Sequence, residues 1–241
     1  MFTEGFRQEY IRRFALEPAS TAIQPMTIDV KRFSPVRSYR DMRDEFAVPR
    51  DAPLIGIVGR FQKYRRMGTF LRAAKRLLQE VPDARFLVIG RSSQIQETVV
   101  KPVRQMGLSH RVILAGYRRH DYIDTLACLD IFSLLMPGSD GTARAVREAM
   151  AMGKPCVVSD YGMLPEIVEH GKSGRVVPDS PEKLALAWSG LIRDPERLEQ
   201  MGRAARQHAL EQFRIETVGP VLEAFYERIV RSKKEKPATG P

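Results

Sequence analysis

The chain has 241 residues, 43% of them hydrophobic, enough for one large or two small domains with a real core. Its net charge of +10, from 39 Lys and Arg against 29 Asp and Glu, suits a phosphate-bearing ligand, an anionic membrane surface or nucleic acid. No stretch reaches the length of a membrane span and MFTEGFRQEY lacks a signal peptide's apolar run, so a cytoplasmic address is expected. Two cysteines, Cys128 and Cys156, lie in apolar segments without metal-type spacing, and four scattered histidines add no ligand cluster.

The first 50 residues predict a helix over 5–15, a short strand within 21–35 and a short helix over 39–46, a lead-in rather than a domain. From Pro53 onward, short Val/Ile/Leu runs alternate with amphipathic stretches. The runs are 54–59, 85–90, 111–116, 130–135, 155–160 and 174–178, mostly ending in Gly or a polar residue. Strands buried on both faces of a parallel sheet look like this. The stretches between them, 69–81, 95–107, 121–129, 143–153 and 181–194, carry helical periodicity. Together they predict an α/β fold: a single Rossmann-like, doubly wound parallel sheet of about six strands with C-terminal helices. The domain is placed at 51–231, and 232–241 reads as a disordered basic tail.

Ligands of an open α/β sheet bind beyond the carboxyl ends of its strands. There the sequence places Gly59-Arg60 with Lys63, Arg65 and Arg66, then Gly90-Arg91, Gly116-Tyr117-Arg118-Arg119, and Pro137 to Thr142. Taken singly, each arginine reads as a solvated charge; their arrival at one rim is the stronger signal. Guanidinium forks match phosphate oxygens in pairs, and a helix N-terminus adds about half a positive charge. Such a rim meets a departing diphosphate without a metal ion. Two carboxylates bracket the helix of 143–153: Asp140 before it and Glu148 inside it. Eight residues of helical rise would separate them by about 12 Å, of the order spanned by a ribose and a hexose joined through a pyrophosphate.

These residues together resemble the C-terminal, donor-binding domain of a GT-B glycosyltransferase, specifically family 4, the glycosyl transferases group 1. The likeness runs from about Gln24 to Phe213. Its opening turn appears as Thr27-Ile28-Asp29 followed by Arg32-Phe33-Ser34-Pro35, its phosphate motif as Gly59-Arg60 to Arg65-Arg66. Its paired-acid signature appears as Asp140 and Glu148, then Ala149-Met150-Ala151-Met152-Gly153-Lys154-Pro155, with Gly162 to Val168 and Gly174 to Val177 beyond. The resemblance implies that Arg60 and Arg65, with Arg66 beside them, hold a donor diphosphate, and that Glu148 binds ribose hydroxyls. Asp140 would contact the donor sugar, and Ser139, Gly141, Thr142, Ala143 and Arg144 would face phosphate and sugar. The loops at Gly90 and Gly116–Tyr117 would form the base pocket. It further implies transfer from a nucleotide-diphosphate sugar with retention, no metal and no other cofactor, in bacterial-type cell-surface polysaccharide or glycolipid synthesis.

Asp140 stands where Glu is usual, and Thr27, Arg66, Ala143 and Met163 stand where Gly is usual, which restricts positive φ and should alter the loops. A GT-B enzyme also carries an acceptor-binding N-terminal domain. Residues 1–50 are therefore expected to be the linker from such a domain, whether cut out, truncated or carried on a separate chain, without which transfer activity is not expected. Other readings are a non-catalytic module docking on an anionic ligand or an anionic membrane surface, peripheral at the inner face, and a sugar-nucleotide epimerase, for which no acid–base set is evident. Nucleic acid is not expected as a partner, since no basic-aromatic reader motif occurs.

Overall fold

The computed structural model describes residues 3–24, 26–138 and 143–234. Six strands, β1 (Leu54–Gly59), β2 (Arg85–Gly90), β3 (Val112–Gly116), β4 (Ile131–Leu134), β5 (Cys156–Ser159) and β6 (Gly174–Val177), form one sheet in the order β3-β2-β1-β4-β5-β6. Every pairing is parallel. The chain builds outward from β1 in one direction and then from β4 in the other. The reversal between β1 and β4 opens a crevice at their carboxyl ends.

Successive side chains of a strand face opposite sides of the sheet. Leu54, Leu87 and Phe132 accordingly join one core, while their neighbours Ile55, Phe86 and Ile131 join another. The first core is covered by α4 (Tyr122–Ala127), α5 (Arg144–Ala151), α6 (Leu164–Ile167) and α8 (Pro195–Gln212). The second is covered by α2 (Met67–Glu80), α3 (Lys101–Gln105) and α7 (Pro181–Ile192). Ser180 caps α7 by accepting a bond from the Lys183 N–H, and Pro181 occupies its first turn, where a missing N–H costs nothing.

Trp188 anchors the second core. Its ring lies 5.3 Å from Phe70 and 5.8 Å from Phe86, and its Nε1–H donates to Ser133 Oγ at 2.8 Å with both residues buried. Trp188→Phe should cost about 2–4 kcal/mol of stability in urea denaturation, because it leaves the hydroxyl without its donor and a void beside it. A loss below about 0.5 kcal/mol would deny the ring this role.

The N-terminal helix is α1 (Glu4–Phe14), with Thr3 accepting from Phe6 N–H and the Glu166 carboxylate meeting the Glu4 and Gly5 N–H groups. The expected strand within 21–35 does not form among the described residues. Ile28 N–H is instead bonded to the Phe213 carbonyl at 2.7 Å, and Asp29 Oδ1 closes a turn on the N–H groups of Lys31 and Arg32. The expected helix over 39–46 is a set of turns. Arg43 reaches the carbonyls of Pro49 and Ala52 and the Asp130 carboxylate, and Ala47 leaves the helical region at φ 51°. Tertiary bonds override local propensity in both stretches. Ile28, Val30, Phe33 and Val48 of this lead-in are buried in the first core.

The helix expected over 95–107 is a π-helical turn, Gln96–Val100, running into α3. Pro102 lacks an N–H and its ring crowds the carbonyl four residues back, so the wider turn accommodates it. The last helix, α9 (Ile215–Lys234), extends past the expected start of the tail, and residues 235–241 of that tail lie outside the described residues. Among the described residues no helix is long and apolar enough to cross a membrane.

Candidate functional site

A cavity of about 500 Å³ lies over the crevice at the carboxyl ends of β1 to β4. Gly59 and Gly90 are register partners at the ends of β1 and β2, and Gly90 has φ 140°. A Cβ on Gly90 would stand 2.0 Å from the Gly59 carbonyl oxygen, so the two backbones meet only because residue 90 has no side chain. The loops beyond them then leave side by side and present Arg60 and Arg91 to the cavity.

Arg65 ends a 3₁₀ turn, Lys63–Arg65, after β1. Its Nη1 donates to the Met136 carbonyl beyond β4 at 2.9 Å, while its buried Nε has no hydrogen-bond partner among the described residues. A half-buried guanidinium that lies over the Tyr64 ring, bonds one carbonyl and meets no carboxylate among the described residues is a cation whose remaining donors an anion would satisfy.

Glu148 projects from α5 on the opposite wall and is 5% exposed. Its Oε2 accepts from the Tyr122 hydroxyl at 2.7 Å and its Oε1 from Arg144 Nε at 2.7 Å. Burial, and then the Glu148 charge, push the Tyr122 hydroxyl well above the usual phenol range, so it stays a donor. The carboxylate is thus fixed in place with acceptor capacity left for further hydroxyls. At the start of α5, Ala143 serves as N-cap and has no side-chain acceptor to offer, and Ala143, Arg144 and Ala145 line the cavity wall, which brings the positive end of the helix to it.

Seven arginines line this cavity, Arg32, Arg60, Arg65, Arg91, Arg118, Arg119 and Arg144, against Glu148 as the carboxylate among the described lining residues. Arg118 is neutralised by Glu45 and Asp121 and stacks on Phe46. Arg91 lies over the Tyr117 ring at 4.5 Å. The remaining positive potential favours a multiply charged anion.

Of the residues singled out in the sequence, Arg60, Arg65, Gly90, Tyr117, Ala143, Arg144 and Glu148 surround this one cavity. Arg66 and Gly116 are not among its lining residues; Arg66 is ion-paired with Asp179 and stacked on Tyr161. Ser139, Asp140, Gly141 and Thr142 lie outside the described residues. Because α5 begins at Arg144, after Ala143 at φ 40°, the helical rise used to space the two acids applies only from Arg144 to Glu148. Of the four positions where glycine is usual, two keep a positive φ without it. Arg66 has φ 58° and Ala143 φ 40°, each a strain of about 1–2 kcal/mol, whereas Met163 at φ −83° needs no glycine. Arg32 and Tyr122 were not singled out as site residues. A tyrosine opening the helix after β3 was the available signal for Tyr122, whereas nothing in its local sequence directs Arg32 to the cavity.

Comparison with known proteins accords with this geometry. The family model "Glycosyl transferases group 1" matches residues 38–208. N-acetyl-alpha-D-glucosaminyl L-malate synthase of Bacillus anthracis is 26% identical over 200 residues, 82% of this chain and 51% of the relative. A GDP-mannose-dependent alpha-(1-6)-phosphatidylinositol monomannoside mannosyltransferase of Mycolicibacterium smegmatis is 29% identical, covering 82% of this chain and 54% of the relative. The chain spans about half the length of these curated relatives. Among solved structures, Anabaena HepE in complex with UDP and glucose superposes with a TM-score of 0.81 at 21% identity, over 91% of this chain and 60% of that one. The C-terminal domain of the glycosyl transferase group 1 family protein LpcC from Francisella tularensis gives 0.65 at 22% identity, over 78% of this chain and 99% of that domain. With the family model matching well over half of its residues and the GT-B sheet in place, the chain belongs to the glycosyl transferases group 1.

Proposed function

We propose that the cavity binds a nucleotide-diphosphate sugar and that the chain is the donor-binding part of a hexosyl-type glycosyltransferase. The observation that carries this reading is the meeting of Arg60 and Arg65 with the buried carboxylate of Glu148 around one cavity at the sheet's switch point. The guanidinium groups and the first turn of α5 take the diphosphate, and Glu148 takes the ribose hydroxyls. The loops at Gly90 and Gly116–Tyr117 border the base, and Asp140 serves the sugar. When the bond from the anomeric carbon to phosphate oxygen breaks, its electron pair leaves with the diphosphate. Fixed positive charge meets it there without reorganisation. In this reading transfer proceeds with retention and without a metal. The acceptor, of the cell-surface polysaccharide or glycolipid kind, is presented by a second domain facing the cavity mouth, and the chain alone transfers little or no sugar.

HepE is described in complex with UDP-glucose and the mycobacterial relative as GDP-mannose-dependent, which supports a nucleotide-sugar donor. Calorimetric titration with UDP-, GDP- and ADP-sugars in a chelating buffer tests the proposal. Saturable binding of at least one is expected, and binding of none would reject it. Co-sedimentation with anionic liposomes that persists in saturating nucleotide sugar would favour a membrane-docking module instead.

A further inference from the structure

Arg66 joins the turn that carries Arg65 to helix α2: it closes the 3₁₀ turn and is the N-cap of the helix, its carbonyl accepting from the Thr69 and Phe70 N–H groups. It holds φ 58° and ψ 30°, a left-handed conformation that an arginine keeps only where its surroundings impose it. Those surroundings come from the far side of the crevice. The Arg66 guanidinium is ion-paired with Asp179 in the loop after β6 and lies 5.5 Å from the Tyr161 ring in the loop after β5. Asp179 is 16% exposed, and its second oxygen is buried without a hydrogen-bond partner among the described residues. Arg66 is therefore the cation that this carboxylate faces.

In the sheet β1 and β6 are separated by β4 and β5, so the pair spans the carboxyl ends of both. Beneath it the same loops are tied to the end of β4. Arg65 holds the Met136 carbonyl, Ser159 Oγ donates to the Leu135 carbonyl, and Tyr161 N–H donates to Ser159 Oγ.

We propose that Arg66, Tyr161 and Asp179 form a clasp that sets where the Arg65 guanidinium stands, so that these three are positioning residues for the diphosphate and do not touch it. The clasp rests on the donor-site reading above and adds to it the β5 and β6 loops, which lie outside the cavity lining. A left-handed residue at the junction swings the turn bearing Arg65 away from the α2 axis. The carboxylate and the aromatic face hold that swing from a distance.

The test compares wild type, Asp179→Asn, Arg66→Gly, Tyr161→Leu and Tyr161→Phe. Calorimetry is run with whichever of UDP, GDP or ADP the wild type binds, and ligand-observed NMR with the matching nucleoside. Asp179→Asn, Arg66→Gly and Tyr161→Leu should each raise the Kd for the diphosphate at least fivefold and leave that for the nucleoside unchanged. Tyr161→Phe, which keeps the ring face, should match wild type. Arg66→Gly is the decisive variant, since glycine adopts the left-handed backbone freely and keeps the fold even where Asp179→Asn does not. A merely structural Arg66 predicts unchanged diphosphate affinity in Arg66→Gly, and that result, or an equal loss for nucleoside and diphosphate, would overturn the clasp. A wild type that binds none of the three diphosphates would instead remove the donor site, and the clasp with it.

Discussion

Glu148→Gln is expected to weaken binding of the nucleoside diphosphate by about 10- to 100-fold, the worth of one or two hydrogen bonds to a charged acceptor. Glutamine preserves the shape and one carbonyl oxygen, so the Tyr122 hydroxyl keeps an acceptor and is not stranded in the interior. The folded state should therefore survive, with a change in unfolding free energy of about 1 kcal/mol or less. The Arg144 pair adds little to that figure because the arginine side chain is 62% exposed. Inorganic pyrophosphate, which has no ribose, separates the roles: its affinity should be the same in wild type and Glu148→Gln. Equal losses for both ligands would place Glu148 on the phosphates, or would mean that the substitution damages the whole wall.

The second large effect is expected at Arg65. Arg65→Ala should lower diphosphate affinity by about 10- to 100-fold, because a half-buried guanidinium fixed on the Met136 carbonyl has little solvent to compete with the ligand. Arg60→Ala, at an exposed position, should cost only about 3- to 10-fold. Both variants should flatten the dependence of affinity on ionic strength, and Arg60→Ala more visibly, since exposed charges are the ones that salt screens. Nucleoside binding should be unaffected in each. If Arg60→Ala proves the more damaging, the Met136 anchor does not have the role given to it here.

The sheet was legible because each strand is a short apolar run of four to six residues, most of them ending in a glycine or polar residue, and LIGIVG and RFLVIG became β1 and β2 without adjustment. That Arg60, Arg65 and Glu148 would border one cavity was legible because fold topology fixes which ends of the strands bear ligand loops. The irregular lead-in was not. Its conformation is set by distant groups, among them Arg206, which donates to the carbonyls of Val30, Phe33 and Ala151, and no local periodicity announces such bonds. The same limit explains Arg32, which that lead-in delivers to the cavity. Arg66 stands next to Arg65 in sequence and reads as a second phosphate ligand. Its left-handed backbone and its partners on the β5 and β6 loops exist only once the sheet order is known. Tyr122 and Glu148 likewise meet through the packing of two helices whose separation in sequence gives no hint of contact.

A crystal structure of the chain with a bound nucleoside diphosphate would test the central claim most directly. It should show diphosphate oxygens within hydrogen-bonding distance of the Arg60 and Arg65 guanidinium groups and the ribose hydroxyls on the Glu148 carboxylate. A nucleotide seated elsewhere on the sheet, or one whose ribose lies out of reach of Glu148, would contradict it.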